Sequence, residues 1–177
     1  MPDRPSPTRT SPDDRELDFS DPIGDDFHAL SRDTIPVRSL RVEDLPAIIG
    51  IDRRITGRDR SAYYQRKLAE VLNETGVRVS LVAEQDERPV GFMMARVDFG
   101  EFGMTEPAAV IDTIGIDPAY RHRNIGSALM SQLLANLATL RVDHVRTEVA
   151  WDSFGLLSFL ERRGFKPSQR LSFFSPL

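Results

Sequence analysis

The sequence predicts a mixed α/β (α+β) domain in which a central sheet is flanked by helices. Three observations carry that prediction. Short β-branched runs bounded by turn residues recur along the chain, as at Ile111, Ile114 and Ile116 before Asp117-Pro118. Between such runs lie stretches with apolar residues at helical spacing, most clearly Leu129, Met130, Leu133, Leu134, Leu137 and Leu140. Taken together in chain order, the elements run β-α-α-β-β-β-α-β-α-β.

Residues 1–33 hold five prolines and eight aspartates among few large apolar residues. Such a composition cannot bury enough surface to offset the entropy of ordering. This stretch is expected to be an extension, disordered or loosely docked through Leu17, Phe19, Ile23, Phe27 and Leu30, ahead of a domain over 34–177. Ile35 to Leu40 alternates as a short strand. Asp44 is placed to cap the helix that follows, and Pro46 falls in its first turn, where a missing N–H is harmless. Leu45, Ile48, Ile49 and Ile55 form its apolar stripe, and Gly57 ends it. Arg58 to Glu74 is a second helical stretch, with Tyr63, Tyr64, Leu68, Val71 and Leu72 on or near one face.

Val77 to Glu84 and Val90 to Phe99 read as strands joined through Glu87-Arg88-Pro89. A loop with two glycines, Gly100 and Gly103, leads to a strand that starts at Ala108 and ends at Asp117. The helix after Gly126 is followed by a strand over Val142 to Trp151, whose alternation includes Glu148. Asp152-Ser153 is placed to cap a helix over Phe154 to Arg163 that Gly164 closes. Leu171 to Phe174 reads as a last strand.

A chain of 177 residues with 40% hydrophobic and 28% charged residues fits one soluble globular domain. It contains no apolar run long enough for a membrane span, and its N-terminal stretch lacks the apolar core of a secretory signal, so a cytoplasmic location is the expectation. The absence of cysteine excludes disulfides, thiolate metal ligands and a cysteinyl acyl intermediate. His28, His122 and His144 show no ligand spacing, so no metal is expected. The net charge of −4 belongs to the first 33 residues, with nine acidic and four basic groups. The remainder carries 19 basic and 18 acidic residues, is near neutral, and shows no basic patch interleaved with aromatics. That argues against a nucleic-acid partner.

The stretch with the clearest chemistry lies between the strand ending at Ile116 and the helix after Gly126. A helix N-terminus exposes unpaired N–H groups and carries partial positive charge. Arg121 and Arg123 beside it, with Gly126 allowing close backbone approach, suit a phosphate or pyrophosphate. The other reading is an ordinary strand-to-helix turn with solvated arginines. No Gly-Lys-Ser/Thr closes the loop as in a Walker motif, and the G-x-G-x-x-G dinucleotide fingerprint is missing.

The loop closely resembles the acetyl-CoA loop of the GNAT family of N-acetyltransferases, Arg/Gln-x-x-Gly-x-Gly/Ala. Here it reads Arg121-His122-Arg123-Asn124-Ile125-Gly126, with asparagine, which tolerates a left-handed backbone, at the first glycine position. Val90-Gly91-Phe92 and Glu161-Arg162-Arg163-Gly164-Phe165 also match the family's patterns, and the resemblance runs from about Ile35 to the C-terminus. It implies the GNAT fold, a mixed central sheet of six to seven strands flanked by about four helices. It also implies an acyltransferase that moves an acetyl group from acetyl-CoA, as cosubstrate, to a primary amine, with a homodimer possible. The absence of cysteine agrees with direct transfer rather than a thiol relay.

Carried onto this chain, the resemblance assigns the pyrophosphate to Arg121, His122, Arg123, Asn124, Ile125, Gly126 and Ser127. Thioester polarisation and the pantetheine arm fall to Ile114, Gly115 and Ile116, with Asp152 where an asparagine normally contacts pantetheine. Asp112 is the candidate general base, because an acidic residue is frequent there and because it should share a face with Ile114; Glu148 is the alternative. Tyr63 and Tyr64 are acceptor-site candidates by resemblance and core aromatics by periodicity. Glu101 is either a solvated loop charge or a binder of a cationic acceptor. Leu160 stands where the family's usual tyrosine protonates the CoA thiolate, and leucine cannot donate a proton. Leu160 therefore also supports an alternative reading, a non-catalytic acyl-CoA-binding or regulatory module on the same fold.

Overall fold

In a computed structural model of the chain, the described residues are 34–73, 79–98 and 106–168. The expected extension over 1–33, Glu101 and the expected strand over Leu171 to Phe174 lie outside them. Among the described residues five strands, fewer than the six to seven expected, form one sheet in the order β1-β2-β3-β4-β5: Val37–Ser39, Leu81–Gln85, Arg88–Asp98, Ala108–Ile116 and His144–Thr147. The first four pair antiparallel with their neighbours, and β5 pairs parallel with β4. The parallel pair requires a crossover, supplied by α3 (Ile125–Thr139). The other helices are α1 (Leu45–Thr56), α2 (Ser61–Asn73) and α4 (Phe154–Glu161).

Strand β3 shows why the sheet carries helices on both faces. Met93, Ala95 and Val97 join a cluster with Leu129, Met130, Leu133 and Leu137 of α3 and Leu160 of α4. Phe92 and Met94 point the other way, into a cluster with Ile48 and Ile51 of α1 and Tyr64 and Leu68 of α2. A strand buried on both sides reads as a continuous apolar run, which is what Val90 to Ala95 is. Full burial of each such side chain contributes about 1.5–3 kcal/mol.

Local signals account for most boundaries. Gly57 ends α1 in a left-handed conformation, φ +70°, with its N–H on the Arg53 carbonyl. Gly164, φ +80°, closes α4: its N–H reaches the Glu161 carbonyl while Phe165 N–H reaches Leu160. The β2–β3 hairpin turns on Asp86 and Glu87, both with positive φ. That places the two-residue turn one position earlier than Glu87-Arg88-Pro89, with Arg88 already paired to Gln85.

Two expected caps use their side chains differently. Asp44 precedes α1, but its carboxylate makes no cap bond to the helix. It accepts instead from Arg38 Nη1 and Nη2, both at 2.7 Å, and from Arg41 N–H at 2.8 Å. The bidentate pair with the Arg38 guanidinium sets an ion against the carboxylate where a cap would set only a backbone N–H. Ser153 occupies the cap position of α4 without a side-chain bond.

Candidate active site

The site is organised by a mismatch in length between two neighbouring strands. Pairing of β4 with β5 ends at Ile111↔Thr147, while β4 continues to Ile116. From Asp112 to Ile116, β4 is paired only with β3, so among the described residues its other edge has no strand partner. The Val142 to Trp151 strand of the sequence reading is thus realised only as His144–Thr147. Glu148 lies past its end and is exposed.

A bulge marks the same place. Met94 pairs with Thr113 and Ala95 with Ile111, so Asp112 is an extra residue in β4. The consequence is a correction to the expected alternation. Ile111 and Ile114 pack in the α3 and α4 cluster. Asp112 and Thr113 both face the opposite side, toward Lys67 and Tyr63 of α2. Asp112 does not share a face with Ile114, because an inserted residue inverts the two-residue period beyond it.

On the α2 side, Asp112 sits in a charged network. Its Oδ1 accepts from Arg96, and its Oδ2 lies 3.6 Å from Lys67 Nζ. Arg96 Nε donates to Asp98 at 3.0 Å, and Arg146 donates to the other Asp98 oxygen at 3.0 Å. Tyr63 and Thr113 hydroxyls meet at 3.2 Å beside the bulge. Periodicity offered one unused signal here: Lys67 follows Tyr63 by four residues and so shares its helix face. Arg96 and Arg146 were missed because nothing in a strand's own sequence names its cross-strand partner.

Tyr64, the second aromatic acceptor candidate, is a core residue, fully buried and edge-on to Phe92 at 5.8 Å. Its hydroxyl donates to buried Asp52 at 2.9 Å. Burial first, then that bond, pushes the hydroxyl well above its ordinary pKa. Burial alone would raise the Asp52 carboxyl, but hydrogen bonds from Arg60 and Tyr64 outweigh it and hold the group below the usual carboxylate range.

The loop into α3 has the backbone of an anion cradle. His122 and Asn124 both have positive φ, +63° and +59°, and Asn124 is the N-cap, with no side chain capping the helix. Left-handed residues set among ordinary ones turn successive N–H groups toward one concavity. Arg121, His122, Arg123 and Asn124 are exposed there, while Ile125, Gly126 and Ser127 are buried. A Cβ on Gly126 would lie 3.1 Å from Ile116 and 3.3 Å from Phe159, so the glycine lets α3 start tight against β4 and α4.

Ser127 receives a hydrogen bond from Arg163 of the α4 C-terminal turn, a contact the sequence reading did not contain. Gly115 has a packing reason of its own: a Cβ there would meet the Phe92 ring at 2.5 Å. Leu160 is buried in the α3 and α4 cluster. Asp152 is exposed at the start of α4.

A cavity of about 440 Å³ lies beside the loop, bordered by Thr34, Arg123 and Asn124 but also by Glu84, Asp86 and Glu87. Three carboxylates make it a poor place for phosphate. Among the described residues there is no group of three metal-ligating side chains, and no helix is long and apolar enough to cross a membrane.

The model of the acetyltransferase (GNAT) family matches residues 44–165. Solved structures share the fold at low identity. An aminoglycoside N-acetyltransferase, AAC(6')-Iy, in complex with CoA superposes with a TM-score of 0.68 at 15% identity, covering 80% of this chain and 94% of that one. The ribosomal-protein-S18-alanine N-acetyltransferase of Escherichia coli gives 0.63 at 22%, covering 76% and 79%. A transcriptional regulator from Bacillus halodurans gives 0.67 at 19%, covering 80% and 99%. A sequence search of curated proteins gave no match. With a family match over 44–165, the split between β4 and β5 and the cradle at α3, the chain belongs to the GNAT acetyltransferase family.

Proposed function

We propose that the protein is an acetyl-CoA-dependent N-acetyltransferase that passes the acetyl group directly to a primary amine. The observation that carries this reading is the open edge of β4 over Asp112 to Ile116, with the uncapped N-terminus of α3 beyond its end. An extended pantetheine can line such an edge as an added strand would, while its pyrophosphate meets the helix end. Acetyl-CoA, when bound, supplies the activated acyl group.

The chain's own residues then divide the work. Arg121, Arg123 and the N–H groups of Asn124 to Ser127 hold the phosphates. Backbone donors along Ile114 to Ile116 are the groups available to polarise the thioester oxygen. Asp112 is the carboxylate at the bulge on the α2 side, its Oδ2 3.6 Å from Lys67 Nζ, and it serves in this reading as the base that takes the amine's proton. Leu160 is buried and cannot protonate the leaving thiolate, so the sulfur leaves as thiolate or takes its proton from water.

The decisive experiment follows CoA release from acetyl-CoA over a panel of amines, beside calorimetry for CoA itself. Release with a defined amine supports the reading. Tight CoA binding with no release over the whole panel favours the second reading, a non-catalytic CoA-binding module, for which Leu160 is the supporting observation.

A further inference from the structure

Breaking a thioester releases a sulfur that needs a proton. An alkyl thiol such as that of cysteine ionises only at about pH 8.5, so near neutrality the product is the thiol. Leu160 has no proton to give. The place where one is needed follows from the open edge. With the phosphates at the start of α3, beyond Ile116, an arm lying along β4 brings its thioester toward the fork where pairing with β5 stops at Ile111↔Thr147.

The hydroxyls at that fork are not equivalent. Thr147 gives its proton to the Ile111 carbonyl at 2.9 Å. Tyr63 and Thr113 meet at 3.2 Å on the α2 side of the bulge. A phenol ionises far more readily than an alcohol, so within this pair Tyr63 is the better acid. Its ring is partly buried against the α1 and α2 cluster and leaves part of its surface open. Two neighbours fix it there: Tyr64 stands edge-on at 5.1 Å, and the Arg60 guanidinium lies 5.8 Å from the ring centre. The other two tyrosines are placed elsewhere. Tyr64 commits its hydroxyl to buried Asp52 at 2.9 Å, and Tyr120 follows the end of β4 with Arg123 at 5.2 Å from its ring centre.

Resting on the transfer reading above, we infer that Tyr63, held by Thr113, is the proton donor to the departing sulfur in place of water. The C–N bond forms as the C–S bond breaks. The amine gives one proton to Asp112 and Tyr63 gives one to the sulfur. The proton on Asp112 then returns to Tyr63 through solvent. One amine and one thioester thus yield one amide and one thiol, with no net change in protons.

The test compares the full-length wild type with Tyr63→Phe in two measurements. The first titrates the thiol of bound CoA through its thiolate absorbance, with each protein free of CoA as the blank. A hydroxyl aimed at the sulfur stabilises the thiolate. Its removal should raise the pKa of the bound thiol by about one unit or more, the scale of one hydrogen bond to a charged group. The second follows CoA release at saturating acetyl-CoA over a panel of amines. There kcat should fall about 100-fold, while KM for acetyl-CoA stays near the wild-type value. A melting curve checks that the variant is folded. Where it is not, Thr113→Val, which removes only the partner of the phenol, should move the same titration in the same direction. An unmoved thiol titration, or a kcat near that of the wild type, overturns the inference and leaves N-acetyl transfer standing. No release by the wild type with any amine removes the transfer reading and the donor role with it.

Discussion

Thr147 closes the last rung of the parallel pair: it lies opposite Ile111 in β5, and its hydroxyl donates to the Ile111 carbonyl at 2.9 Å. Beyond that rung the two strands part. One side-chain bond thus sits where the ladder stops and the open edge of β4 begins. Replacing Thr147 by valine keeps the β-branched shape and removes the bond, which should cost about 1 kcal/mol of stability. Denaturant unfolding would read the loss. Faster amide exchange confined to β5 would locate it at the fork, and unchanged values in both measurements would deny the bond any role.

The double variant Arg121→Ala, Arg123→Ala removes both exposed arginines from the cradle before α3. Charge-assisted hydrogen bonds contribute about 1.5–3 kcal/mol each, so acetyl-CoA affinity should drop by roughly tenfold or more. The wild-type affinity should also weaken with added salt, and the variant's less so. Calorimetry showing equal affinity in the two proteins would dismiss the phosphate assignment.

Asp112→Asn keeps the shape of the carboxylate and removes its ability to take a proton. A positioned base contributes about 100-fold or more to rate, and turnover near neutral pH should fall on that scale while acetyl-CoA affinity changes little. A melting curve controls for the loss of the Arg96 and Lys67 partners. If the pH–rate profile keeps its shape, Asp112 is not the base.

Acid should loosen the α1 side of the molecule. Burial acts to raise the Asp44 and Asp52 carboxyls, but Arg38 and the Arg41 N–H on one, and Arg60 and Tyr64 on the other, leave both below the ordinary value. A carboxyl depressed in the folded state stabilises it fully above the unfolded value, about 3.9. That stability is lost as pH falls from there through the folded value. Urea midpoints should therefore decline steadily below about pH 4, and Arg60→Gln should flatten the decline by bringing Asp52 closer to its unfolded behaviour. Midpoints that hold constant down to about pH 3 would contradict the assignment.

Much of the architecture was legible because short-range chemistry dictates it. An apolar run marked β3, β-branched residues before Asp117-Pro118 marked β4, spacing of four marked α3, and Gly57 and Gly164 ended helices where a left-handed residue is needed. The loop at Arg121 to Ser127 was legible for the same reason: Asn124 and Gly126 each answer to a local demand, one for positive φ and one for close approach. Gly115 shows the limit. Nothing in the strand's own residues showed that a side chain at this position would meet the Phe92 ring across the strand pair.

The order and kind of the described elements, the left-handed turn at Asn124 and the family were legible in the residues alone. Those follow from period, backbone preference and charge along a few consecutive residues. The packing of whole elements sets where β5 stops, the bulge that turns Asp112 toward α2, the approach of Lys67 and Arg96 to Asp112, and that of Arg146 to Asp98. Register, bulges and cross-strand ion pairs are properties of two or more strands at once, and no single strand's residues encode which partner atom they will meet.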